Sequence, residues 1–535
     1  MGWETSLVVK ISIGYTQLQL FSPRQATMEG SLGSLNWVNR FINETPGDDL
    51  FHSTSRQVPR VCWSKVSPTP TPNPLIRLWS FEMAEDIGLK VKEANILGGK
   101  KIVTGMNPYA QRYGGHQFGN WAGQLGDGRA ITLGEVNTGK EILELQLKGS
   151  GVTPYSRFSD GKAVLRSSVR EFLCSESMYH LGIPTTRALS LVTTGEDVIR
   201  DIMYDGRPAH EKGAIVCRVA PSFIRFGSFQ IHSMSGDLET LRSLVDYTVK
   251  HHFPSHKSQT DDDIIEWLKV VADQTALMVA HWMRVGFVHG VMNTDNMSIH
   301  GLTIDYGPYG WIEDYNLDWT PNTTDSIQKR YRFGNQAEIA GWNYARLLES
   351  ISPLLEEPKK LHQALDFYYQ SYLKYSNSMW AEKLGLDIFN IDDDELIIEL
   401  IRLLQMVETD MTIFFRLLSS IKKPEIINLR DAFYDIEEIP ENEWNIWLEK
   451  WWNRVKGNPD HEKMNKSNPK YVLRNWMAQL AIDAAEKEDF TVAIELYNIL
   501  KNPYSEQLEH EEKWFKKRPE WARHRVGCSM LSCSS

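Results

Sequence analysis

The feature that most constrains the fold is a single change of character near residue 235. From about residue 100 to 230 the sequence is rich in glycine and in short strand patterns, and Leu143, Leu145 and Leu147 alternate as in a half-buried strand. Beyond residue 235 helical patterns dominate, and one apolar stripe runs from Ile264 to Trp282. Strands followed by helices predict an α+β protein with a strand-rich lobe, a helical lobe and a helical extension.

Local patterns in the strand-rich part predict a hairpin and a helix. Residues 130–135 are expected to pair with the 143–147 strand across a turn at 137–140. A helix is expected over 163–181, because Gly182 and a proline two residues later are typical signals for the end of a helix.

Five short elements then occur in the order used by protein kinases, and the first three lie in the strand-rich part. A glycine cluster ends in Gly126 and Gly128, where backbone amides can approach phosphates. Lys148 ends the 143–147 strand, in the place of the phosphate-neutralising lysine, and Glu171 follows 23 residues later as its partner. Taken singly, these elements also fit a tight turn, a solvated lysine and a surface glutamate.

The last two elements lie in the helical part. The segment His289-Gly-Val-Met-Asn-Thr-Asp-Asn296 has the spacing of the kinase catalytic loop, with Asn296 at the metal-binding position. Asp305 begins an Asp-Tyr-Gly that stands where kinases have Asp-Phe-Gly, and its carboxylate would bind Mg²⁺. Together the five elements predict a protein-kinase-like two-lobed fold, with a strand-rich N-lobe and a helical C-lobe, that binds a nucleotide.

One departure from the kinase pattern bears on the chemistry. Val291 occupies the position of the aspartate that accepts the substrate proton, and a valine side chain cannot take a proton. Either the protein only binds nucleotide, or it runs different chemistry on the same nucleotide. Asp295 is the nearest carboxylate that can serve as a base.

Several long blocks of the sequence resemble the selenoprotein O family. They are NPYAQRYGGHQFGNWAGQLGDGR at 107–129, LQLKGSG around Lys148, TPYSRFSDGKAVLRSSVREFL, HGVMNTDNMSI at 289–299 and LTIDYGPYG at 302–310, and the ending Ser532-Cys533-Ser534-Ser535 is similar too. The resemblance spans roughly residues 35 to 535. It implies a kinase-like fold that binds ATP in a flipped orientation and transfers AMP to Ser, Thr or Tyr hydroxyls of proteins, with release of pyrophosphate.

The resemblance also implies roles for single residues. Asp295 resembles the proton acceptor, Asn296 and Asp305 resemble the metal ligands, and Glu171 resembles the helix partner of Lys148. The residues that resemble the nucleotide-contacting set are Gly126, Gly128, Arg129, Lys148, Asp160, Gly161, Arg218, Arg225 and Asp305. Bidentate guanidinium groups suit a triphosphate, although read without the family the arginine pair also fits solvated surface charge.

The tail suggests a redox function beside the nucleotide site. Position 533 is cysteine or selenocysteine in the family and can regulate the enzyme, which makes thiol-redox proteins plausible substrates by resemblance. Some bacterial members pair it with a cysteine about 16 residues after the metal aspartate, where this chain has Pro321. Cys528 is a local alternative partner for Cys533, and an inert tail cysteine is the other reading.

Composition excludes several classes of protein. The formal net charge of −11 argues against a nucleic-acid binder, and five cysteines in 535 residues do not make a disulfide scaffold. No apolar run approaches the ~18 residues of a membrane span, and no signal peptide opens the chain, so secretion is not expected. A monomer is expected, in the mitochondrion if the source is eukaryotic or the cytoplasm if bacterial, with the plastid as an alternative.

The predicted organisation has four parts. Residues 1–45 form a variable extension that can be a transit segment, 46–232 the N-lobe, 233–400 the C-lobe, and 401–535 a helical extension with the cysteine tail. The leading functional hypothesis is a protein adenylyltransferase that uses ATP and Mg²⁺, with Mn²⁺ as an alternative ion. UMP transfer from UTP and a non-catalytic nucleotide-binding pseudokinase are the competing hypotheses.

Overall fold

The computed structural model describes residues 28–201 and 206–532. Its strands lie almost entirely before residue 221 and its long helices mostly after residue 225, so the predicted α+β character is confirmed. The kinase-like pairing of two lobes stays a prediction.

Thirteen strands occur in the described residues. They are β1 (Gly47–Asp48), β2 (Trp63–Lys65), β3 (Leu75–Trp79), β4 (Tyr109–Gln111), β5 (Gly114–Gln117), β6 (Asn120–Gln124), β7 (Ala130–Asn137), β8 (Ile142–Lys148), β9 (Ala163–Val164), β10 (Arg187–Arg200), β11 (Ala209–Ala220), β12 (Phe287–Val288) and β13 (Gly310–Trp311).

The described α-helices number sixteen. They are α1 (Arg40–Glu44), α2 (Phe81–Asp86), α3 (Ala94–Leu97), α4 (Leu165–His180), α5 (Phe226–Met234), α6 (Leu238–His252), α7 (Asp261–Val285), α8 (Gln336–Ile351), α9 (Leu361–Lys383), α10 (Asp393–Leu404), α11 (Met411–Leu418), α12 (Glu441–Arg454), α13 (His461–Ser467), α14 (Asn475–Ala485), α15 (Thr491–Leu500) and α16 (Leu508–Trp514).

One large sheet contains β8 and β11, the strands that carry Lys148 and Arg218. Its order is β1-β2-β4-β7-β8-β11-β10-β3, and β9 adds to β11. The predicted hairpin is β7–β8, in which Lys148 lies opposite Ala130, while on the other side β11 places Arg218 opposite Gln146. Because side chains alternate along a strand, this register brings Lys148 and Arg218 to one face, and the leucines of β8 pack into the core on the other.

Helix α4 follows β9 without a loop and packs against the sheet. It spans 165–180, within two residues of the predicted bounds, and Gly182 lies just beyond it at φ +75°. Every residue from Leu165 to Met178 is buried, which places Glu171 in the interior rather than on the surface. Helices α14 and α15 pack on α4 from the other end of the chain.

Helix α7 leads the chain into the catalytic-loop segment. It starts at a capping box made by Thr260 and Asp263 and ends at Gly286, whose φ of +77° is a left-handed helix terminus. Trp267 and Trp282 of its apolar stripe are fully buried. β12 and residues 289–296 follow directly, so the buried helix fixes where that loop begins.

A second helical core is built around tryptophans of α12. Trp444, Trp447 and Trp451 are fully buried and pack against α10 and α11. The indole rings of Trp447 and Trp451 are stacked, with their ring centres 6.2 Å apart. This core crosses the predicted boundary at residue 400, because Leu384 and most of α10 lie before the predicted helical extension and α11 and α12 lie within it.

The N-terminal extension is shorter than the sequence suggested. Residues 28–45 pack on the sheet: Trp37 bridges to Val136, and the Phe41 amide donates to a carboxylate oxygen of buried Glu135 at 2.6 Å. Residues 28–45 therefore belong to the folded domain, because they form hydrogen bonds with its sheet. Residues 1–27 lie outside the described part. Within residues 28–201 and 206–532, no helix combines the length and hydropathy that a bilayer crossing requires.

The far end of the chain docks beside the catalytic-loop segment. Leu531 forms a parallel bridge with Asn322, and the Thr323 amide donates to the Leu531 carbonyl at 2.8 Å. The Asn322 side chain in turn donates to the Gly290 carbonyl at 3.0 Å. Residues 526–532 thus contact Asn322, and the Asn322 side chain supports the loop that carries the predicted base, Asp295.

Candidate active site

A cavity of about 760 Å³ lies where the large sheet meets the loops that follow α7. Its volume is within the range of about 300–1,000 Å³ that ligand pockets occupy. The predicted site residues that line it are Gly126, Gly128, Arg129, Lys148, Asp160, Arg218, Asp295, Asn296 and Asp305.

Lys148 and Arg218 share one carboxylate at the back of the cavity. The Lys148 ammonium binds one oxygen of Glu171, and Arg218 Nε binds the other. Burial lowers the pKa of Lys148 to about 8, although Glu171 favours its charged form. The predicted pairing of strand lysine and helix glutamate is therefore present, with an arginine as its third member.

Arg218 also reaches Asp305, the predicted metal ligand. Its Nη1 lies 2.8 Å from Asp305 Oδ1, whereas its Nη2 is buried without a hydrogen-bond partner. A buried guanidinium nitrogen with an unused proton is unusual, because such groups are normally satisfied. Arg218 lines the cavity, and this nitrogen is a donor without a partner.

Asp305 is held in a strained backbone conformation between two arginines. Its φ of +56° lies in the left-handed region that few residues other than glycine adopt. Burial acts to raise the pKa of this carboxyl, but Arg225 and Arg218 beside it hold that pKa well below its usual range. Asp305 therefore carries a full negative charge at neutral pH.

Arg225 supports the site from behind. Only 1% of its side chain is exposed, its guanidinium lies 4.3 Å from the ring centre of Tyr113, and it is not part of the cavity wall. Its Nη1 donates to the Asp295 carbonyl at 2.8 Å and to Asp305 Oδ2. It thereby joins the 289–296 loop to the Asp305 turn, and the direct nucleotide contact that the resemblance implies for Arg225 stays a prediction.

Two hydrogen bonds hold the loop from His289 to Asn296 in place. His289 Nε2 lies 2.8 Å from the Ile304 carbonyl, which fixes the distance to the Asp305 turn. Asn296 Nδ2 donates to the Val291 carbonyl at 2.9 Å. The amide oxygen of Asn296 is then the atom that remains for a cation.

Asp295 lies on a short 3₁₀ turn and is 7% exposed. Burial raises the pKa of its carboxyl to about 6. Gln117 Nε2 lies 3.3 Å from its Oδ2, and Oδ1 has no hydrogen-bond partner. A weakly bonded carboxylate at a cavity wall has the properties of a general base.

The glycine cluster and the following loop form the lip of the cavity. A Cβ on Gly126 would lie 2.5 Å from the Tyr155 ring, and one on Gly128 would lie 2.9 Å from the Tyr155 carbonyl. These glycines are therefore also required by packing against residues 155–156. Asp160 pairs with Arg200 at 2.7 Å, and Gly161 lies behind it at φ +68°.

The donors near Asp305 fit a magnesium ion. Mg²⁺ takes oxygen ligands and keeps several waters, so one or two protein ligands plus phosphates suffice. Asn296 and Asp305 line the same cavity and offer an amide and a carboxylate oxygen. Among the residues that the structure describes, no cluster of three His, Cys, Asp or Glu side chains forms a closed metal cage, as expected for such an open site.

The tail cysteines lie apart from this site as far as they are described. Cys528 is a free buried thiol, and burial raises its pKa to about 12, which makes it a poor nucleophile. Cys533 falls outside the described residues, so a bridge between the two stays a prediction. Pro321 does lie beside the tail, since its carbonyl accepts from the Leu531 amide at 3.1 Å.

Several site residues escaped the sequence reasoning. Gln117 and Phe118 line the cavity from the β5–β6 hairpin, and Phe158 and Arg200 line its lip. The density of glycine over 114–128 was the available signal for the hairpin. No pattern pointed to Arg200, because its role depends on the fold of β10.

Comparison with known proteins agrees with this geometry. The family model described as protein adenylyltransferase SelO matches residues 49–501. A relative named protein nucleotidyltransferase YdiU, from Flavobacterium johnsoniae, is 52% identical over 516 residues, covering 93% of this chain and 99% of its own. Proteins of the same name from Aromatoleum aromaticum (52% over 519 residues) and Rhodopirellula baltica (51% over 537 residues) match 93% and 94% of this chain and 99% of their own.

Proposed function

The chain belongs to the protein adenylyltransferase SelO family, and we propose that it transfers AMP from ATP to hydroxyl groups of proteins and releases pyrophosphate. It is a protein nucleotidyltransferase, as its relatives are named. The observation that carries the finer assignment is the pairing of Val291 at the kinase base position with Asp295 at the wall of a cationic cavity.

The charge distribution supports transfer of the nucleotidyl group. Lys148, Arg218 and Arg129 line one cavity, and Arg218 Nη2 is a buried donor without a partner. Three cations beside one another suit a triphosphate and stabilise the charge that develops on a departing pyrophosphate. Glu171 holds the lysine and one arginine in place.

In the proposed reaction the acceptor hydroxyl attacks the α-phosphorus. The bond from the hydroxyl oxygen to that phosphorus forms, the bond from the α-phosphorus to the bridging oxygen breaks, and pyrophosphate leaves with the bonding electrons. Asp295 accepts the hydroxyl proton, since burial keeps its carboxyl near the pKa range useful for a base. Val291 cannot compete for that proton.

Asn296 and Asp305 would hold Mg²⁺, with Mn²⁺ as an alternative. The bound ion would supply positive charge to neutralise the phosphate oxygens. The chain's part is to present two oxygen donors, and Arg225 orients one of them through its contact with Asp305 Oδ2.

ATP labelled at the α- or the γ-phosphorus tests the assignment. With a generic acceptor protein, the α label is expected on protein and the γ label in pyrophosphate. Label transfer from the γ position alone would replace the proposal with ordinary phosphoryl transfer. Competition by UTP in the same assay measures the base preference, and Asp305→Ala is expected to abolish transfer.

A further inference from the structure

The β5–β6 hairpin lies directly over the loop that carries Asp295. The His116 amide donates to Thr294 Oγ1 at 2.7 Å, and the Phe118 amide donates to Asn293 Oδ1 at 3.2 Å. Gln117, between them, places its Nε2 3.3 Å from Asp295 Oδ2. Three consecutive hairpin residues therefore contact three consecutive residues of the loop.

The hairpin is anchored at its tip as well. The Phe118 amide also donates to the Tyr331 hydroxyl at 2.9 Å, and that hydroxyl donates to Asn293 Oδ1 at 2.6 Å. The Tyr331 amide is held by the buried carboxylate of Asp325 at 2.7 Å. These bonds keep the hairpin tip and the catalytic loop at a fixed separation.

Glycine makes the close approach sterically feasible. A Cβ on Gly115 would lie 2.3 Å from Asp295 Oδ1, and a Cβ on Gly227 would lie 2.0 Å from the Gly114 carbonyl. Real Cβ atoms do not approach other atoms this closely. The Asp295 carboxylate therefore occupies space that exists only because position 115 has no side chain.

A β-bulge lies in the strand that pairs with β5. The register changes between Gly114, which lies opposite Gln124, and His116, which lies opposite Trp121, so β6 contains one extra residue there. Gly123, at φ +74°, lies within that stretch. The extra residue lies in β6, so β5 keeps its regular alternation and Gln117 lies on the face opposite to that of His116.

From these contacts we propose that Gln117 is a positioning residue: its amide holds the Asp295 carboxylate in the orientation that receives the acceptor proton. The inference rests on the proposed function, in which Asp295 is the base. A base contributes only when it is held within hydrogen-bond reach of the proton, and one oriented neighbour can supply that constraint. The Gln117 side chain has no other hydrogen-bond partner among the described residues.

The test is a double-mutant cycle between Gln117→Ala and Asp295→Ala, measured as steady-state label transfer. Gln117→Ala alone is expected to lower kcat about tenfold, a fraction of what a general base supplies, with the KM for ATP unchanged within about twofold. In the Asp295→Ala background the same change is expected to have no further effect. Asn120→Ala is the matched control, because Asn120 lies opposite Gln117 and donates only within the hairpin turn.

Two results would overturn the proposal. One is an equal loss from Gln117→Ala with and without Asp295, which would mean that Gln117 acts independently. The other is a raised KM for ATP at unchanged kcat, which would make Gln117 a nucleotide contact. The cycle uses whichever phosphate the enzyme transfers, so γ-only transfer would reject AMP chemistry while the cycle still decides the role of Gln117.

Discussion

Replacing Asp305 by asparagine is expected to strengthen nucleotide binding in the absence of divalent metal. Asp305 is the counter-ion of both arginines, at 2.8 Å from Arg218 Nη1 and in contact with Arg225. A phosphate that arrives without metal must share the Arg218 guanidinium with this carboxylate and is repelled by it. Asparagine keeps the shape and tolerates the left-handed backbone at φ +56° better than most residues.

The magnitude follows from Coulomb's law. A phosphate oxygen bonded to a neighbouring nitrogen of the Arg218 guanidinium would lie about 6 Å from the Asp305 carboxylate, because each contact spans about 2.8 Å and the two directions diverge. At an effective dielectric constant of about 20, two unit charges at that distance repel by about 3 kcal/mol. Partial exposure of the site screens this, so we expect a gain of about 1.5–3 kcal/mol, or roughly tenfold to hundredfold tighter binding.

Isothermal titration calorimetry with a non-hydrolysable ATP analogue in EDTA measures this change. The control is Asp318→Asn, which removes the same charge from an exposed pair with Arg332 and is expected to leave the dissociation constant unchanged. With Mg²⁺ present the order is expected to reverse, because Asp305→Asn replaces a charged metal ligand by a neutral one. Unchanged or weaker binding of the analogue to Asp305→Asn in EDTA would refute the view that Asp305 occupies the arginines.

Three further predictions follow from contacts described above. The affinity for ATP is expected to fall as pH rises through about 8, since burial lowers the Lys148 pKa to that value and only the protonated amine attracts phosphate. In fluorescence titrations between pH 7 and 9.5, Lys148→Arg should remove this decline. A decline that persists in the variant would assign the titration to another group. Trp447→Ala is expected to destabilise the fold by about 3–5 kcal/mol, because it empties a buried site and removes the 2.9 Å hydrogen bond from the indole to the Leu396 carbonyl. Denaturant unfolding measures this change in the free energy of unfolding. A loss below about 1 kcal/mol would contradict the packing described. Asn322→Ala is expected to lower label transfer severalfold with ATP affinity unchanged, since it leaves the Gly290 carbonyl unsatisfied. The control is Thr324→Ala, because Thr324 is an exposed neighbour. Equal effects of the two substitutions would exclude a specific support of the Asp295 loop by Asn322.

Local signals in the sequence predicted the parts of the fold that depend on neighbouring residues. Helix α4 was placed within two residues because its end is marked by Gly182. The ion pair of Lys148 and Glu171 was predictable because one strand and the next long helix, 23 residues apart, bring them together. Both depend on patterns read within a short stretch of chain.

Other parts of the site depend on contacts between distant residues. The β5–β6 hairpin has little hydrophobic alternation, and its partners on the catalytic loop lie 178 residues away. The withdrawal of Arg225 behind the cavity depends on Tyr113 and on Asp305, 80 residues further along. No pattern within one segment reports such packing, and the nucleotide contact that the family resemblance implies for Arg225 stays a prediction.

The bridge between Leu531 and Asn322 also has a consequence for the timing of synthesis. Translation proceeds from the N-terminus, so the sheet, α7 and the loop with Asp295 emerge before the residues that complete their support. Asn322 acquires its neighbour only once Leu531 has left the ribosome. We therefore expect the loop with Asp295 to gain this support only late in synthesis, after the loop itself has emerged.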